Sequence, residues 1–571
     1  MSFDESGLNA SGGPGRRGVL KAAAAVSGGA ALGLTGIPAE AASGRKGKGS
    51  EPTLVGAIRW DAWVGRDWRV GSIVNRTLSP EKYQFRMPYY ASITEADRVL
   101  VEQGFDAEAT GSAPSGWVVS SPVDTAVSVV DGPGRAGKSV RLHDASGSSM
   151  AGMDRTFTAQ SRAVTVQWEW KESTTGRWSR ALLHDGAKAV VDIATRVDAG
   201  TKQLALRAPD GTWSIIQTVA DDTWYAMKMI VDLAPPEGAT PWVDVFVDGV
   251  RKVNHAPLLT VSSIVNTVSF RTNESLSVDL YVDKVSVEVT ESVNCDAARQ
   301  AVMDQEIRYA RDAGIDYWAF VYYPSEPLAR GRKLYLSSAY KNDVKWCAIL
   351  TGDFLAAFDA NLSELVSRFS ESNYQRVLGG RPLLYFLSDA NAARVAKVRA
   401  AATAAGLPDP YIVVMAWTAQ SAADVKAAVG ADAVSRYATG AATGVPYAQL
   451  AVSETALWSQ YAAAGGQVIP TVTTGWDKRP RYDYPVSWEP NYMDFKDNWV
   501  QQATPEEIAD HLSAAITWGA AHPTNNPANA VLIYAWNEFD EGGWICPTLH
   551  ELRDAHRPLR LDAIAAVPRT V

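Results

Sequence analysis

The sequence predicts an α/β protein, a parallel (β/α)8 TIM barrel carrying an inserted all-β jelly-roll sandwich. Three observations point there. Eight short apolar runs are separated by helical segments and loops, the number of strands that such a barrel requires. Between the first and second run lies a long stretch of alternating strands divided by Gly, Asp, Asn and Ser turns, without a helical pattern. No Gly-rich phosphate loop follows the first run, which disfavours a doubly wound open sheet.

Taken in order, residues 1–41 read as a transport signal. Arg16 and Arg17 precede an Ala/Gly/Leu stretch reaching Ile37 and the small-x-small site Ala39-Glu40-Ala41, the pattern of a twin-arginine export signal. Its apolar part is too short to span a membrane, so the expected location is extracellular, with no membrane anchor after cleavage near Ala41. Residues 42–53 form a polar linker, and 54–103 the first part of the barrel, whose first strand ends near Trp60-Asp61. Residues 104–291 are the inserted sandwich, with runs such as "SRAVTVQWEWKE" and "PWVDVFVDGVRK". Residues 292–571 hold the remaining strands: Ile315 to Tyr322, Val344 to Leu350, Arg381 to Leu387, Pro410 to Trp417, a weaker Ala433 to Thr439, Gly466 to Gly475, and Ala530 to Trp536. Before the last of these, "TPEEIADHLSAAITWGA" reads as a helix opened by a capping box, Thr504 with Glu507.

Composition narrows the function classes. With 46% hydrophobic and 20% charged residues in 571, the chain reads as soluble and globular with material for more than one core. A net charge of -9 argues against a nucleic-acid groove and an anionic membrane surface as partners. The 20 Trp and 21 Tyr offer flat faces on which sugar rings stack when presented in a cleft. Cys295, Cys347 and Cys546 lack the short spacings of a metal cluster and allow at most one disulfide.

Barrel chemistry sits where the strands stop at their C-terminal ends. Those positions give Trp60 and Asp61 after the first run, Tyr323 and Glu326 after the second, Asp353 after the third and Asp389 after the fourth. Trp417 ends the fifth, "TGWDKRPR" with Trp476, Asp477, Arg479 and Arg481 follows the seventh, and Asn537-Glu538 the eighth. A single acid here is a turn former as readily as a site residue. Acids after most of the runs, mixed with aromatics, describe a polar cleft.

The stretches "RWDAWVG", "EIRYARDAGIDYWAFVYY", "TVTTGWDKRPR" and "YAWNEFDEGGWICPTL" resemble the WbsX-like and endo-alpha-mannosidase-like barrels of glycoside hydrolase family 99. The resemblance covers Leu54 to Phe85 and Asp296 to about Leu549, and implies a glycan-active barrel. Phe539 stands where the WbsX-like pattern has Trp, and "SWEPNY" around Glu489 has only a superficial likeness to the Glu-Pro-Tyr context of the endo-alpha-mannosidases, lying elsewhere in strand order. The insert separately resembles laminin-G or concanavalin-like sandwiches.

The expected function is a secreted glycoside hydrolase acting on a polysaccharide or oligosaccharide through two carboxyl groups, one protonated and one ionised. Glu538 and Asp477 are the expected catalytic pair, with Asp353 in reserve. Asp61, Trp60, Tyr323, Asp389, Trp417, Trp476, Arg479, Arg481 and Asn537 are the expected substrate-binding residues, with Arg479 or Arg481 lowering one carboxyl's pKa. Such chemistry needs no cofactor, and a structural calcium ion would suit the sandwich. The alternatives are a non-catalytic glycan-binding protein and, disfavoured by the missing nucleotide signature, a glycosyltransferase.

Overall fold

The computed structural model describes residues 51–570 apart from 95–97, 174–177 and 273–276, so the expected export signal at Arg16-Arg17 lies outside the described residues. The chain divides into two compact units. One takes the described residues of Met1–Gly65, Ile73–Ser92 and Cys295–Val571, the other Arg66–Ser72 and Ile93–Asn294.

The first unit is built on a curled sheet of parallel strands joined in sequence order. They are Leu54–Arg59, Tyr317–Tyr322, Lys345–Leu350, Arg381–Phe386, Tyr411–Met415, Ala433–Ser435, the pair Gln467–Val468 and Thr471–Thr473, and Ala530–Tyr534. Nearly every residue in them is buried, as expected of parallel strands covered on both faces. The first strand pairs with the second on one side and with the eighth on the other. Gly56 in it is required by packing: a Cβ there would lie 2.1 Å from the ring of Tyr317, whose hydroxyl meets that of Tyr385 at 3.1 Å.

The expected seventh run is split. Gln467–Val468 pairs with the sixth strand and Thr471–Thr473 with the eighth, and the break falls at Ile469-Pro470, where proline has no N–H to give the ladder. The sixth, expected to reach Thr439, ends at Ser435, because the Arg436 N–H turns aside to the Thr471 hydroxyl. The capping box at Thr504 and Glu507 is formed as expected, opening the helix Pro505–Ala521. Cys295, Cys347 and Cys546 are all buried free thiols.

The second unit is two antiparallel sheets over one hydrophobic core. It starts before the expected Gly104, because Val99–Gln103 pairs with Val278–Val289, and it extends past Glu291 to Asn294. Period-two alternation sends Val191, Ile193, Leu204 and Leu206 into the core and Asp192, Ala194, Arg196, Ala205 and Arg207 to the other face of their sheet.

Candidate active site

After the eighth strand the chain makes a tight hairpin. Asn537-Glu538 pairs antiparallel with Gly543-Trp544 across a turn of Phe539–Glu541 and Gly542. Gly542 has φ +83, and a Cβ on it would lie 2.4 Å from the Asp477 nitrogen, so this turn is pressed against the loop that follows the seventh strand. The Asp477 N–H donates to the Glu541 carbonyl across that contact at 2.6 Å. A turn rich in acids usually faces water, yet Glu538, Asp540 and Glu541 are each no more than 3% exposed.

What compensates them is a buried ionic cluster. Arg481 donates to Asp540 through Nε and Nη2 at 2.7 and 3.0 Å, and through Nη1 to Glu541 at 2.5 Å and Glu489 at 3.0 Å. Lys478 Nζ reaches Glu489 at 2.5 Å and Glu541 at 3.0 Å, and the Tyr534 hydroxyl donates to Glu541 at 2.6 Å. Four carboxyls thus surround two cations, so full ionisation would leave two negative charges uncompensated in a dry site.

Glu538 is the member with the weakest cationic support. Its Oε1 accepts from the Tyr437 hydroxyl at 2.5 Å, its Oε2 stands 3.9 Å from Arg481 Nη2, and Oε2 accepts no hydrogen bond among the described residues. Burial first, and the neighbouring Glu541 second, push its pKa up to about 8. Burial thus favours the neutral, protonated form of this carboxyl.

No family model and no curated protein matches the chain. Among solved structures it is similar to a glycoside hydrolase family 99 endo-alpha-mannosidase from Bacteroides thetaiotaomicron, at 18% identity and TM-score 0.34, over 47% of this chain and 83% of that one. It is also similar to an alginate lyase, at 9% and 0.27, over 33% of this chain and 96% of that one. A sialidase, at 14% and 0.29, is covered over 37% of this chain, which spans only 20% of that protein. All three are carbohydrate-active enzymes. Likenesses of this size assign no role to any residue, so the chemistry rests on the side chains.

The other expected site residues divide. Asp477 is buried, and both its oxygens are taken: Oδ1 accepts from Arg479 N and Nε at 3.0 and 2.9 Å, and Oδ2 from Arg479 Nη2 at 2.8 Å and from Arg86. Although burial opposes ionisation, Arg479 and Arg86 hold its pKa below the usual carboxylate range. It borders a cavity of about 100 Å³ with Trp476, Trp499 and Trp544, and Glu538 does not line that cavity. Arg481 joins the acid cluster, while Arg479 lies over Trp499 at 3.6 Å.

Asn537 uses both ends of its amide on the backbone at the end of the first strand. Its Oδ1 accepts from Trp60 N at 2.9 Å and its Nδ2 donates to Trp60 O at 2.7 Å, so the side chain clamps the end of the first strand. That clamp seats Trp60, whose ring lies 5.8 Å from Trp488 and 5.4 Å from Arg481, and whose Nε1 donates to the Tyr323 hydroxyl at 3.2 Å. Asp61 pairs with Arg59 at 2.8 Å, within a second buried ionic group completed by Glu306. Trp476, 9% exposed, donates to Asn498 at 2.9 Å. Trp417 is half-buried, with Arg436 5.9 Å from its ring.

Asp353 and Asp389 are exposed, and among the described residues no hydrogen bond or ion pair links either to the cluster. Asp353 opens the short helix Gly352–Ala356, and Asp389 is a turn residue at φ +49. The expected placing of both in the site therefore meets local turn and helix-start geometry instead. Six cluster members were not foreseen: Tyr437, Lys478, Glu489, Tyr534, Asp540 and Glu541. Lys478, Tyr534, Asp540 and Glu541 stood inside the quoted stretches, as did Glu489 in "SWEPNY", on the loop after the helix Arg479–Asp483, whereas Tyr437 follows the weak sixth strand.

Proposed function

We propose that the chain is an exported glycoside hydrolase that cleaves a polysaccharide or complex glycan on the first unit. The observation that carries the reading is Glu538, a buried carboxyl held neutral to about pH 8 with one oxygen free of hydrogen bonds. Such a group donates a proton to the glycosidic oxygen as the bond to the anomeric carbon breaks, and takes one back from the attacking water. Glu541, tied to Arg481, Lys478 and Tyr534, supplies negative charge against the oxocarbenium-like transition state. Asp477 is thereby moved from reacting partner to fastening for Arg86 and Arg479.

The proposal includes a closed (β/α)8 barrel, supported by the two sheet ends being halves of one segment, Gln467 to Thr473. Export rests on the Arg16-Arg17 leader sequence alone. Trp60, Tyr323, Trp417 and Trp488 are the aromatic faces offered to the sugar.

The test is release of new reducing ends from a broad polysaccharide panel, at several pH values, by the mature chain and by Glu538→Gln. Release by the parent and its loss in a folded variant is the expected result. No release from any polymer, or equal release by the variant, overturns the reading.

A further inference from the structure

The outer face of one sandwich sheet carries a set of groups that the core does not use. Five neighbouring strands contribute to it: Val265–Arg271, Arg180–His184, Ala189–Asp198, Thr201–Arg207 and Trp213–Thr218. Register places Arg271 beside Arg180, Arg180 beside Ala194, Ala194 beside Ala205, and Arg207 beside Trp213, all on one side. Ala194 and Ala205 are small, so the long side chains around them lie over the sheet.

Arg196 is the centre of this face. Its guanidinium carbon lies 4.6 Å from the ring of Trp178 and 5.3 Å from that of Trp213, and the two indoles meet edge-on at 5.3 Å. Among the described residues the Arg196 side chain makes no hydrogen bond or ion pair, and the residue is only half-buried. Arg207 sits 5.8 Å from the Trp213 ring and only 3.7 Å from Asp192, its one acid, which Arg180 already holds through Nε at 3.0 Å. Arg271 pairs with Asp154 through two contacts of 2.6 Å. Four guanidinium groups therefore meet three carboxylates on this face, because the exposed Asp198 shares the side of Asp192, Ala194 and Arg196, and one positive charge remains in surplus on a chain whose net charge is -9.

Unsatisfied polarity gathers at the same place. Arg196 Nε, Arg207 Nε, Gln203 Oε1 and His184 Nε2 all lack a hydrogen-bond partner among the described residues.

We propose that this face binds an acidic, uronate-containing polysaccharide. Guanidinium groups match a sugar carboxylate with two parallel hydrogen bonds, and the indoles of Trp178 and Trp213, set edge-on to each other, add apolar contact for a pyranose ring. Five strands at ~4.8 Å spacing span roughly 19 Å, room for several rings in a row. A neutral polymer would leave the guanidinium surplus unanswered, which makes charge the basis of selection. This site is separate from the acid cluster of the other unit and does not depend on the activity proposed there.

The experiment is titration of the full chain with polygalacturonate and with dextran, at about 50 mM salt and again at high salt. Polygalacturonate is expected to bind, more weakly at high salt, and dextran at least about tenfold more weakly. Arg196→Gln, Arg207→Gln and Trp213→Ala should each weaken polygalacturonate binding about tenfold at an unchanged Tm, while Glu538→Gln leaves it intact. Absence of binding to polygalacturonate, equal binding of dextran, or loss in Glu538→Gln with none in the three sandwich variants would overturn the proposal.

Discussion

The Tyr437 hydroxyl donates to one oxygen of Glu538 at 2.5 Å, and the other oxygen of that carboxyl is buried without a hydrogen bond. One half of the acid is thus anchored and the other is buried without a hydrogen bond among the described residues. Under the proposed reading, this asymmetry would orient a proton donor while leaving its proton in place.

Glu538→Gln replaces a neutral acid by a neutral amide. The folded-state pKa, raised to about 8, lies above the unfolded value, so the folded protein holds this proton more tightly. Ionisation then penalises folding progressively from about pH 4.5 up to about pH 8. The variant is expected to lose turnover by ~10²–10⁴. Its Tm should match the parent at pH 4.5 and exceed it increasingly toward pH 8, as read by melting curves across that range.

Tyr437→Phe removes the hydrogen bond that favours the ionised form of Glu538. The alkaline limb of the pH–rate profile, set near 8 by this carboxyl, is expected to move upward. Stability should fall by about 1–2 kcal/mol from the unmade bond. A limb that stays in place would show that another group governs it.

Asp477→Asn takes the charge from between Arg86 and Arg479. Arg86 is 4% exposed in that pair, and leaving it without its counter-ion should cost about 3–5 kcal/mol in denaturant unfolding. Arg479, 35% exposed, is partly screened by water, and Arg479→Ala is expected to cost under about 1 kcal/mol. If Asp477 is a fastening, activity in the asparagine variant tracks the folded fraction rather than vanishing at intact stability.

Glu454 is fully buried, and neither carboxyl oxygen has a hydrogen-bond partner among the described residues. Burial raises its pKa to about 7, only partly offset by Arg436. Its ionisation therefore destabilises the fold as pH rises from about 4.5 through 7. Glu454→Met, of similar volume, is expected to raise Tm, and by more at pH 8 than at pH 5.

Buried parallel strands announce themselves as unbroken apolar runs, which is why their order was readable from "TLVGAIRW" to "AVLIYAW". The acid at the eighth strand end was readable for the same reason: an apolar run that stops at Asn-Glu fixes where the chain turns. What the sequence could not carry was direction. Asn537 has the chemistry to hold a hydroxyl, yet its amide is oriented by two hydrogen bonds to the Trp60 backbone. Asp353 and Asp389 occupy equivalent strand ends but point to solvent. Glu489 and Tyr437 have no periodicity to betray them, since one lies in an irregular loop and the other past a three-residue strand. Even the family pattern, which drew attention to "SWEPNY", gave no reason to bring Glu489 back beside Arg481.

The first strand's two partners are far downstream, beginning at Tyr317 and Ala530. During synthesis, at ~5–20 residues per second, roughly 25–100 s elapse between its emergence and that of the eighth strand. Every strand of the two-sheet unit is made within that interval. The ribosome thus releases one complete core while the other still waits for its closing edge, and the waiting strand, Leu54–Arg59, is almost wholly apolar. Chaperone demand in a cell should concentrate on that window and on that segment.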